Sequence, residues 1–306
     1  MQFFKNKGRS DILWGTGIAV GILLLAVISK YYLPPIHIGN TYRDIVIKSH
    51  VVAQMRINLL KSVEMEKNAV MAITDKESQE FADQSLAASA AVEQNLSDLH
   101  SLIDATPLHN EKKLALEFNT CWTELRKLDQ IILEFAVQNT NLKAASLSQE
   151  KGAESIQRFE HALENLMHSY AGTPNEGRIT QLSFEAITAG LKIFNLHSSH
   201  IAEARDEKMD QIETQIKAEE NEVTKSLAGL AENAEEGSNR LLLQAKTSFS
   251  EFNEITSQMI KLSRQNSNVK SLEFSLGKKR KIVAQCDEIL SAFQEVIQNS
   301  TSKATK

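Results

Sequence analysis

The sequence predicts an all-α protein: two stacked four-helix-bundle modules that share two long antiparallel helices, preceded by an N-terminal transmembrane helix. Three observations predict this fold. The 306 residues contain only four prolines, and strong helix formers fill the stretches between them. Apolar residues recur at alternating intervals of four and three, which is the spacing of one helix face. The same pattern is also written twice, at an offset of 127 residues (265 − 138).

The N-terminus carries the features of a membrane anchor. A run of uncharged, mostly apolar residues (12–29) is long enough to cross a bilayer core at ~1.5 Å per residue. It follows three basic residues, Lys5, Lys7 and Arg9, which by the positive-inside rule remain in the cytoplasm. We therefore predict a cytoplasmic segment at 1–11 and a transmembrane helix at 12–33. A cleaved signal peptide is the alternative, although the apolar run is longer than such peptides usually carry.

The repeat is marked by the hexapeptide QNTNLK (138–143), which returns as QNSNVK (265–270). Apolar stripes precede both copies at matching positions: Leu114, Phe118, Cys121, Leu125, Leu128, Ile132 and Phe135 in the first, and Leu241, Ala245, Ser248, Phe252, Ile255, Met259 and Leu262 in the second. Asn tolerates the left-handed conformation and also caps helices, so NTN and NSN are predicted to be turns between helices. The alternative is one continuous helix with Asn139 and Asn266 at polar stripe positions.

Two stretches of about sixty residues complete the predicted architecture, each ~90 Å long if helical. Helices 41–104 and 178–236 are predicted to run the full length of both modules, while the shorter helices 109–138, 141–171, 238–265 and 268–299 pack on their halves. The sensor region is thus predicted at 36–300, with a membrane-distal module at about 72–205 and a membrane-proximal module at about 41–71 plus 206–300. Residues 301–306 form a tail that leads toward the membrane.

Composition excludes several functions. The net charge is −5, with no basic stripe of the kind that binds nucleic acid. No nucleophile–base pair or phosphate-binding loop is visible, so we predict neither an enzyme nor a cofactor. The cysteines, Cys121 and Cys286, fall in helices of different predicted modules, so two separate buried thiols are expected. The motif HSSHIAE (197–203) has helical metal-ligand spacing, but one helix supplies only part of a site, and we predict no metal.

Charged residues on the apolar stripes are the candidate site residues. Glu77 lies on the stripe of the first long helix and Arg205 on that of the second. If the two helices are antiparallel with 104 level with 178, partners have numbers that sum to about 282, and 77 + 205 = 282. A buried, structural ion pair is therefore expected, because unpaired buried charge is costly. Arg205 and Arg56 are the alternative candidates for contacts to an anionic ligand.

This architecture resembles the extracytoplasmic sensor domain of bacterial methyl-accepting chemotaxis proteins, in its helical bimodular or four-helix-bundle form. The segments that carry the resemblance are MEKNAVMAITDKESQEFADQSL (65–86), NLKAASLS (141–148) and NLHSSHIAEARDEKMDQIE (195–213). The resemblance implies a homodimer in the inner membrane of a bacterium, with its main domain in the periplasm. It also implies a small ligand such as an organic acid or amino acid, bound within the bundles or at the dimer interface.

The sequence therefore predicts a membrane-anchored chemoreceptor sensor that transmits a signal by displacement of one long helix against another. Such receptors continue into a second span, a HAMP linker and a signalling hairpin, so the chain is read as the N-terminal portion of a longer receptor; a single-anchored protein is the alternative. A histidine-kinase sensor that reads a ligand or a periplasmic binding protein, and a non-sensory helical scaffold, are the alternative functions.

Overall fold

The computed structural model describes residues 40–105, 107–108 and 110–304, and every regular element within them is helical. The α-helices are α1 (Asn40–Met71), α2 (Asp75–Ala105), α3 (Glu111–Gln138), α4 (Thr140–Leu147), α5 (Ala153–Ser169), α6 (Glu176–Ala202), α7 (Asp206–Asn233), α8 (Asn239–Gln265), α9 (Ser267–Phe274) and α10 (Arg280–Ala304). Two π-helical turns, Ser148–Gly152 and Ser275–Lys279, join α4 to α5 and α9 to α10. The predicted transmembrane segment 12–33 lies outside the described residues. None of the helices described has the length and apolar character needed to cross a membrane.

Helices α1 and α2 form an antiparallel hairpin, so the prediction of one continuous helix over 41–104 was wrong. The Ser85 hydroxyl donates to the Ser62 carbonyl across the hairpin (2.8 Å). The chain reverses just before α2 because Thr74 caps that helix: its Oγ1 accepts the Glu77 backbone N–H (3.2 Å) and donates to the Glu77 carboxylate (3.0 Å). Thr74 and Glu77 stand at the positions of a T-x-x-E capping box, here with the Glu77 carboxylate bound to the Thr74 hydroxyl, and this arrangement marks the start of α2.

Helices α6 and α7 form the equivalent second hairpin, which breaks the other predicted long helix. The turn lies at 203–205, where the Glu203 carboxylate accepts the backbone N–H groups of Ala204 and Arg205 (both 3.0 Å). Lys192 on α6 reaches Glu219 on α7 (3.1 Å), as antiparallel neighbours do. Neither 41–104 nor 178–236 therefore runs the length of the molecule.

The elements shared by both modules are instead α3 to α5 and α8 to α10, which we call the first and second long elements. They remain antiparallel partners along their whole length. Phe135 stacks on Phe274 at one side of the Asn positions, and Phe159 packs against Phe249 at the other. The residue numbers of the two pairs add up to nearly the same value (409 and 408). Neither long element therefore reverses its direction between them. The reversal of direction predicted at NTN and NSN was therefore wrong, although a helix does end at each left-handed Asn and the next one begins there, as expected.

Each long element bends without reversing because a single residue leaves the helical conformation. Asn139 and Asn266 have φ values of 50° and 55°, in the left-handed region that Asn tolerates better than most residues. Helix resumes at the next residue in both copies. The π-helical turns repeat at the same offset, since 275 − 148 = 127. The predicted duplication is therefore confirmed at the level of backbone geometry.

Two cores define the modules. The first module contains α1, α2, α3 and α10, whose buried side chains form one continuous apolar cluster. The second module contains α5, α6, α7 and α8 around a second cluster. The predicted module boundaries, 72–205 and 41–71 plus 206–300, were thus wrong, because each hairpin stays inside one module. Each module takes three helices from its own repeat and the fourth, α10 or α5, from the other repeat.

Candidate functional site

The two hexapeptides meet at the junction of the modules and cap each other. The Thr140 N–H donates to the Ser267 hydroxyl (3.0 Å), and the Ser267 N–H donates to the Thr140 hydroxyl (3.1 Å). The Asn141 and Asn268 side chains accept each other's backbone N–H in the same reciprocal way (3.1 and 3.3 Å). These N–H groups begin α4 and α9 and have no partner within their own helix. The repeat of the hexapeptide is therefore a mutual cap between two bent helices.

The tips of both hairpins are tied to this junction. The Asn139 side chain donates to the Asp75 carboxylate at the start of α2 (3.0 Å). The Asn266 side chain donates to the Glu203 carbonyl in the second hairpin turn (2.9 Å). Both hairpins and both long elements consequently meet at a single polar layer between the two apolar cores.

Replacement of Asn266 tests this layer. Asn266→Ala should destabilise the protein more than Asn266→Gly, because both lose the side-chain bonds to Glu203 and Asn141 but only alanine resists the left-handed conformation. The difference should be about 1–2 kcal/mol in the free energy of unfolding, measured by urea denaturation. Equal stability of the two variants would contradict a left-handed residue 266.

The predicted ion pair between Glu77 and Arg205 does not form. Both side chains are exposed. Glu77 belongs to the capping box with Thr74, and the Arg205 guanidinium binds Glu203 two residues away (2.9 Å). That hydrogen bond lowers the pKa of Glu203 to about 2. The prediction failed because it paired two helices that are in fact two separate hairpins.

Arg56 does lie at a contact between helices, but with a different element from the one considered. Its guanidinium forms a two-pronged ion pair with Asp287 on α10 (2.6 and 2.8 Å), where both side chains are half-buried. The pair sets the register of α1 against α10, with numbers that sum to 343. Residue 40 is therefore level with about residue 303 or 304, so the described chain enters and leaves the first module at the same end.

A buried charge cluster lies on the same seam, about two to three helical turns closer to the junction. Lys279, in the π-helical turn, contacts the carboxylates of Glu66 (2.6 Å) and Asp129 (2.5 Å), and all three side chains are at most 1 % exposed. Ser275 also donates to Glu66 (3.3 Å). Burial raises the pKa of Glu66 and that of Asp129, against the opposing effect of the Lys279 ammonium. One ammonium thus faces two carboxylates inside the core of the first module.

The second module holds a neutral polar cluster at the equivalent place. Ser148 and Thr256 stand 127 positions from Ser275 and Asp129, and His197 lies between them. The His197 Nδ1 is 2.9 Å from the Ser148 hydroxyl and its Nε2 is 3.0 Å from the Thr256 hydroxyl. Burial lowers the pKa of His197 to about 4, so the imidazole is neutral at physiological pH. The two repeats therefore use one position of the scaffold for different chemistry.

The other histidine of HSSHIAE also belongs to a hydrogen-bond network. His200 Nδ1 is 2.9 Å from the Ser263 hydroxyl and its Nε2 is 2.9 Å from the Glu213 carboxylate. Glu213 also accepts from Arg264 (2.6 Å). Burial opposes ionisation of Glu213, but these hydrogen bonds outweigh it and lower its pKa. Among the described residues, no three His, Cys, Asp or Glu side chains converge as metal ligands would.

Cys121 and Cys286 form a disulfide, so the prediction of two separate thiols was wrong. The bond joins α3 to α10 inside the first module, with Cα atoms 5.8 Å apart. The error has the same origin as the others: the sequence argument placed these helices in different modules. The disulfide makes α3 and α10 one mechanical unit, which faces the α1–α2 hairpin.

A family model described as the four-helix-bundle sensory module for signal transduction matches residues 17–171, just over half of the chain. The chain belongs to this family. It is a four-helix-bundle sensory module of the type found in chemotaxis and signal-transduction proteins, as the resemblance predicted. No curated protein sequence matches the chain.

The match to the sensory-module family ends where the first repeat ends. It includes α1 to α5, which are the four successive helical segments of one repeat unit when the bend at Asn139 is counted as a boundary. In the structure these segments do not close one bundle, because α5 packs in the second module and α10 takes its place in the first. This sensory module therefore exchanges its fourth helix with its own duplicate.

Proposed function

We propose that the chain is the sensory part of a bacterial chemoreceptor, anchored in the inner membrane by residues 12–33 with its helical modules in the periplasm. It binds a small ligand and passes the signal to the membrane as a displacement between helices of the first module. The observation that carries the proposal is the position of α1 and α10, which lie side by side and leave the module at one end. A disulfide between α3 and α10 further supports an oxidising compartment.

Two connections within the first module support a choice of which elements move. The disulfide holds α3 to α10, and the hairpin turn holds α1 to α2, so the signal is a displacement of the α3–α10 pair against the α1–α2 hairpin. The polar contacts that cross between α1 and α10 include the half-buried Arg56–Asp287 pair and the buried cluster at Glu66. No catalytic step and no cofactor enter this proposal.

A homodimer is part of the proposal. The outer face of α1 exposes Val46, Ile57 and Leu60, each at least half exposed in the single chain. These positions are 11 and 3 residues apart, which places them on one face of the helix. An apolar stripe along the helix nearest the proposed anchor suits a parallel contact with a second copy.

The Arg56–Asp287 pair provides the test. In a chimera, residues 1–304 would be joined to the second span and signalling part of a chemoreceptor, and its kinase activity measured in membranes. Asp287→Arg should shift the basal activity, because it places two cations opposite each other on α1 and α10. The exchange Arg56→Asp with Asp287→Arg should bring the activity back toward that of the unmodified chimera. Identical activity of all three, at equal amounts of folded protein, would contradict transmission through this seam.

A further inference from the structure

The buried cluster of Glu66, Asp129 and Lys279 carries one negative charge in excess when both carboxylates are ionised. Each of the three side chains is at most 1 % exposed, so bulk water screens the excess charge only weakly. Arg126, one turn from Asp129 on α3, is itself paired with Glu93 (3.0 Å). An uncompensated charge in a protein core is costly, and a buried carboxylate avoids that cost by taking up a proton.

The helices around the cluster supply no second cation at its level. Within the described residues, the buried side chains of α2 and α9 include none that ionises. Arg56 and Asp287, on α1 and α10, pair with each other two to three turns away. Lys48, also buried on α1, binds Glu111 (2.7 Å) about five turns from the cluster. Lys279 therefore has to serve both carboxylates.

Hydrogen bonds decide which carboxylate takes the proton. The Glu66 Oε2 accepts from the Lys279 ammonium (2.6 Å) and from the Ser275 hydroxyl (3.3 Å), and such bonds favour the ionised form. Neither Asp129 oxygen has a hydrogen-bond partner of suitable geometry among the described residues, although the Lys279 Nζ lies 2.5 Å from its Oδ1. Asp129 is thus the less stabilised anion of the two, and burial raises its pKa.

We propose that Asp129 is a proton-binding site through which the first module responds to the pH of the compartment around it. A proton taken from the solvent converts the Asp129 carboxylate into a neutral carboxylic acid. The cluster then holds one ammonium and one carboxylate, and the Lys279–Glu66 ion pair remains.

The second repeat shows that the scaffold does not require this cluster. At an offset of 127, Asp129 corresponds to Thr256 and Lys279 to Gly152. The Thr256 hydroxyl contacts His197 (3.0 Å), whose pKa burial lowers to about 4, so the imidazole is neutral at physiological pH. The second module therefore closes with a neutral network where the first holds ions. The excess charge is specific to the module whose α1 and α10 lead toward the proposed anchor.

The location of the cluster gives proton binding a mechanical consequence, and this step rests on the proposed function. Asp129 and Lys279 belong to the α3–α10 unit that the disulfide holds together, whereas Glu66 belongs to the α1–α2 hairpin. An ionised Asp129 attracts the Lys279 ammonium within its own unit. A protonated Asp129 leaves Glu66 as the anionic partner, so acidification strengthens the contact between the two units whose displacement is the proposed signal.

Infrared spectroscopy of the full chain in detergent tests proton binding. As the pH falls from ~8, the C=O stretching band of a buried carboxylic acid should appear before the exposed carboxyl groups titrate near pH ~4. The band should shift in protein made with aspartate that carries carbon-13 in its side-chain carboxyl group. It should be absent from Asp129→Asn and from Asp129→Thr, which imports the residue of the second repeat.

Glu117→Gln is the matched control, because it neutralises an exposed carboxylate of the same helix that pairs with Lys113 (3.6 Å). The band should be unchanged in this variant. The inference is overturned if no such band appears, if labelled aspartate does not shift it, or if it persists in both Asp129 variants.

Kinase activity of the chimera, compared at neutral and acidic pH, tests the mechanical step. Asp129→Asn should hold, at both pH values, the activity that the unmodified chimera shows at acidic pH. An unaltered pH response in Asp129→Asn, in a chimera that passes the charge-exchange test, would overturn the step. If the charge-exchange test fails instead, the proposed function is wrong, and the infrared titration alone decides the proton site.

Discussion

Lys279→Met is expected to lower the free energy of unfolding by about 3–5 kcal/mol, because it leaves two buried carboxylates without their cation. Glu66 and Asp129 are fully buried, and the Glu66 Oε1 has no hydrogen-bond partner among the described residues. Methionine fills a similar volume, so the loss reports on charge and not on a cavity. The measurement is the thermal or urea transition at neutral pH.

The neighbouring residue supplies the control. Lys278 is exposed and pairs with Glu124 (3.3 Å), so Lys278→Met should change stability by less than ~1 kcal/mol. If Lys279→Met behaved like Lys278→Met, the cluster would not be buried as described.

Asp129→Asn should reduce the loss of stability at neutral pH, whereas Lys279→Met should increase it. Because burial raises the pKa of Asp129 and of Glu66, the folded state holds protons more tightly than the unfolded state. Stability from these groups is therefore complete below the ordinary carboxylate pKa of ~4 and is lost as pH rises through the raised values. Asn removes part of this loss, so the variant should show a shallower decline between acidic and neutral pH. A steeper decline than in the parent protein would refute the raised pKa.

Removal of the disulfide should have an effect of similar size. Cys121 and Cys286 are 165 residues apart in sequence, so the bond constrains a very long loop of the unfolded chain. Loss of a native disulfide typically lowers stability by about 2–5 kcal/mol, and the chain-entropy account places long loops at the upper end. The double variant Cys121→Ala with Cys286→Ala should melt at a lower temperature than the oxidised protein.

Reduction provides the comparison. The reduced parent protein should melt close to the double alanine variant, and that variant should not respond to reductant. A parent protein whose melting temperature is unchanged after complete reduction, verified by thiol titration, would show that the two cysteines are not bonded.

The helical class, the duplication and the position of the hexapeptides could be predicted from the sequence, because each depends on local pattern. The pairing of helices could not. Apolar stripes at 114–135 and 241–262 identify a buried face but do not say which partner covers it. The capping box at Thr74 was a local signal for a break, yet Glu77 was interpreted as a stripe position. Because the break near Thr74 was missed, 41–104 was predicted to be one long helix and the hexapeptides to be hairpin turns. The structure has the hairpins in the first place and the long elements in the second.

For the candidate residues, too, the sequence indicated which positions matter but not which residues they contact. Arg56 and Glu66 stand out in sequence as charges on an apolar stripe, and both prove to have partners on α10. Their partners were missed because α1 was paired with α6–α7. The sequence of α10 carries its own apolar stripe at Val283, Cys286, Leu290, Phe293 and Ile297. Four residues before Val283 this stripe reaches Lys279, so that signal was present.

The exchange of fourth helices has a consequence for the order in which the chain can fold as it is synthesised. The second module is contiguous, from residue 153 to 265, so all four of its helices exist before α10 is made. The first module must wait for residues 280–304, although its other three helices are complete by residue 138. Contacts between such distant segments form late and slowly. The first three helices of the first module therefore lack their fourth partner while residues 139–279 are synthesised. Helix α10 completes the bundle last, and the Cys121–Cys286 disulfide then links it to α3.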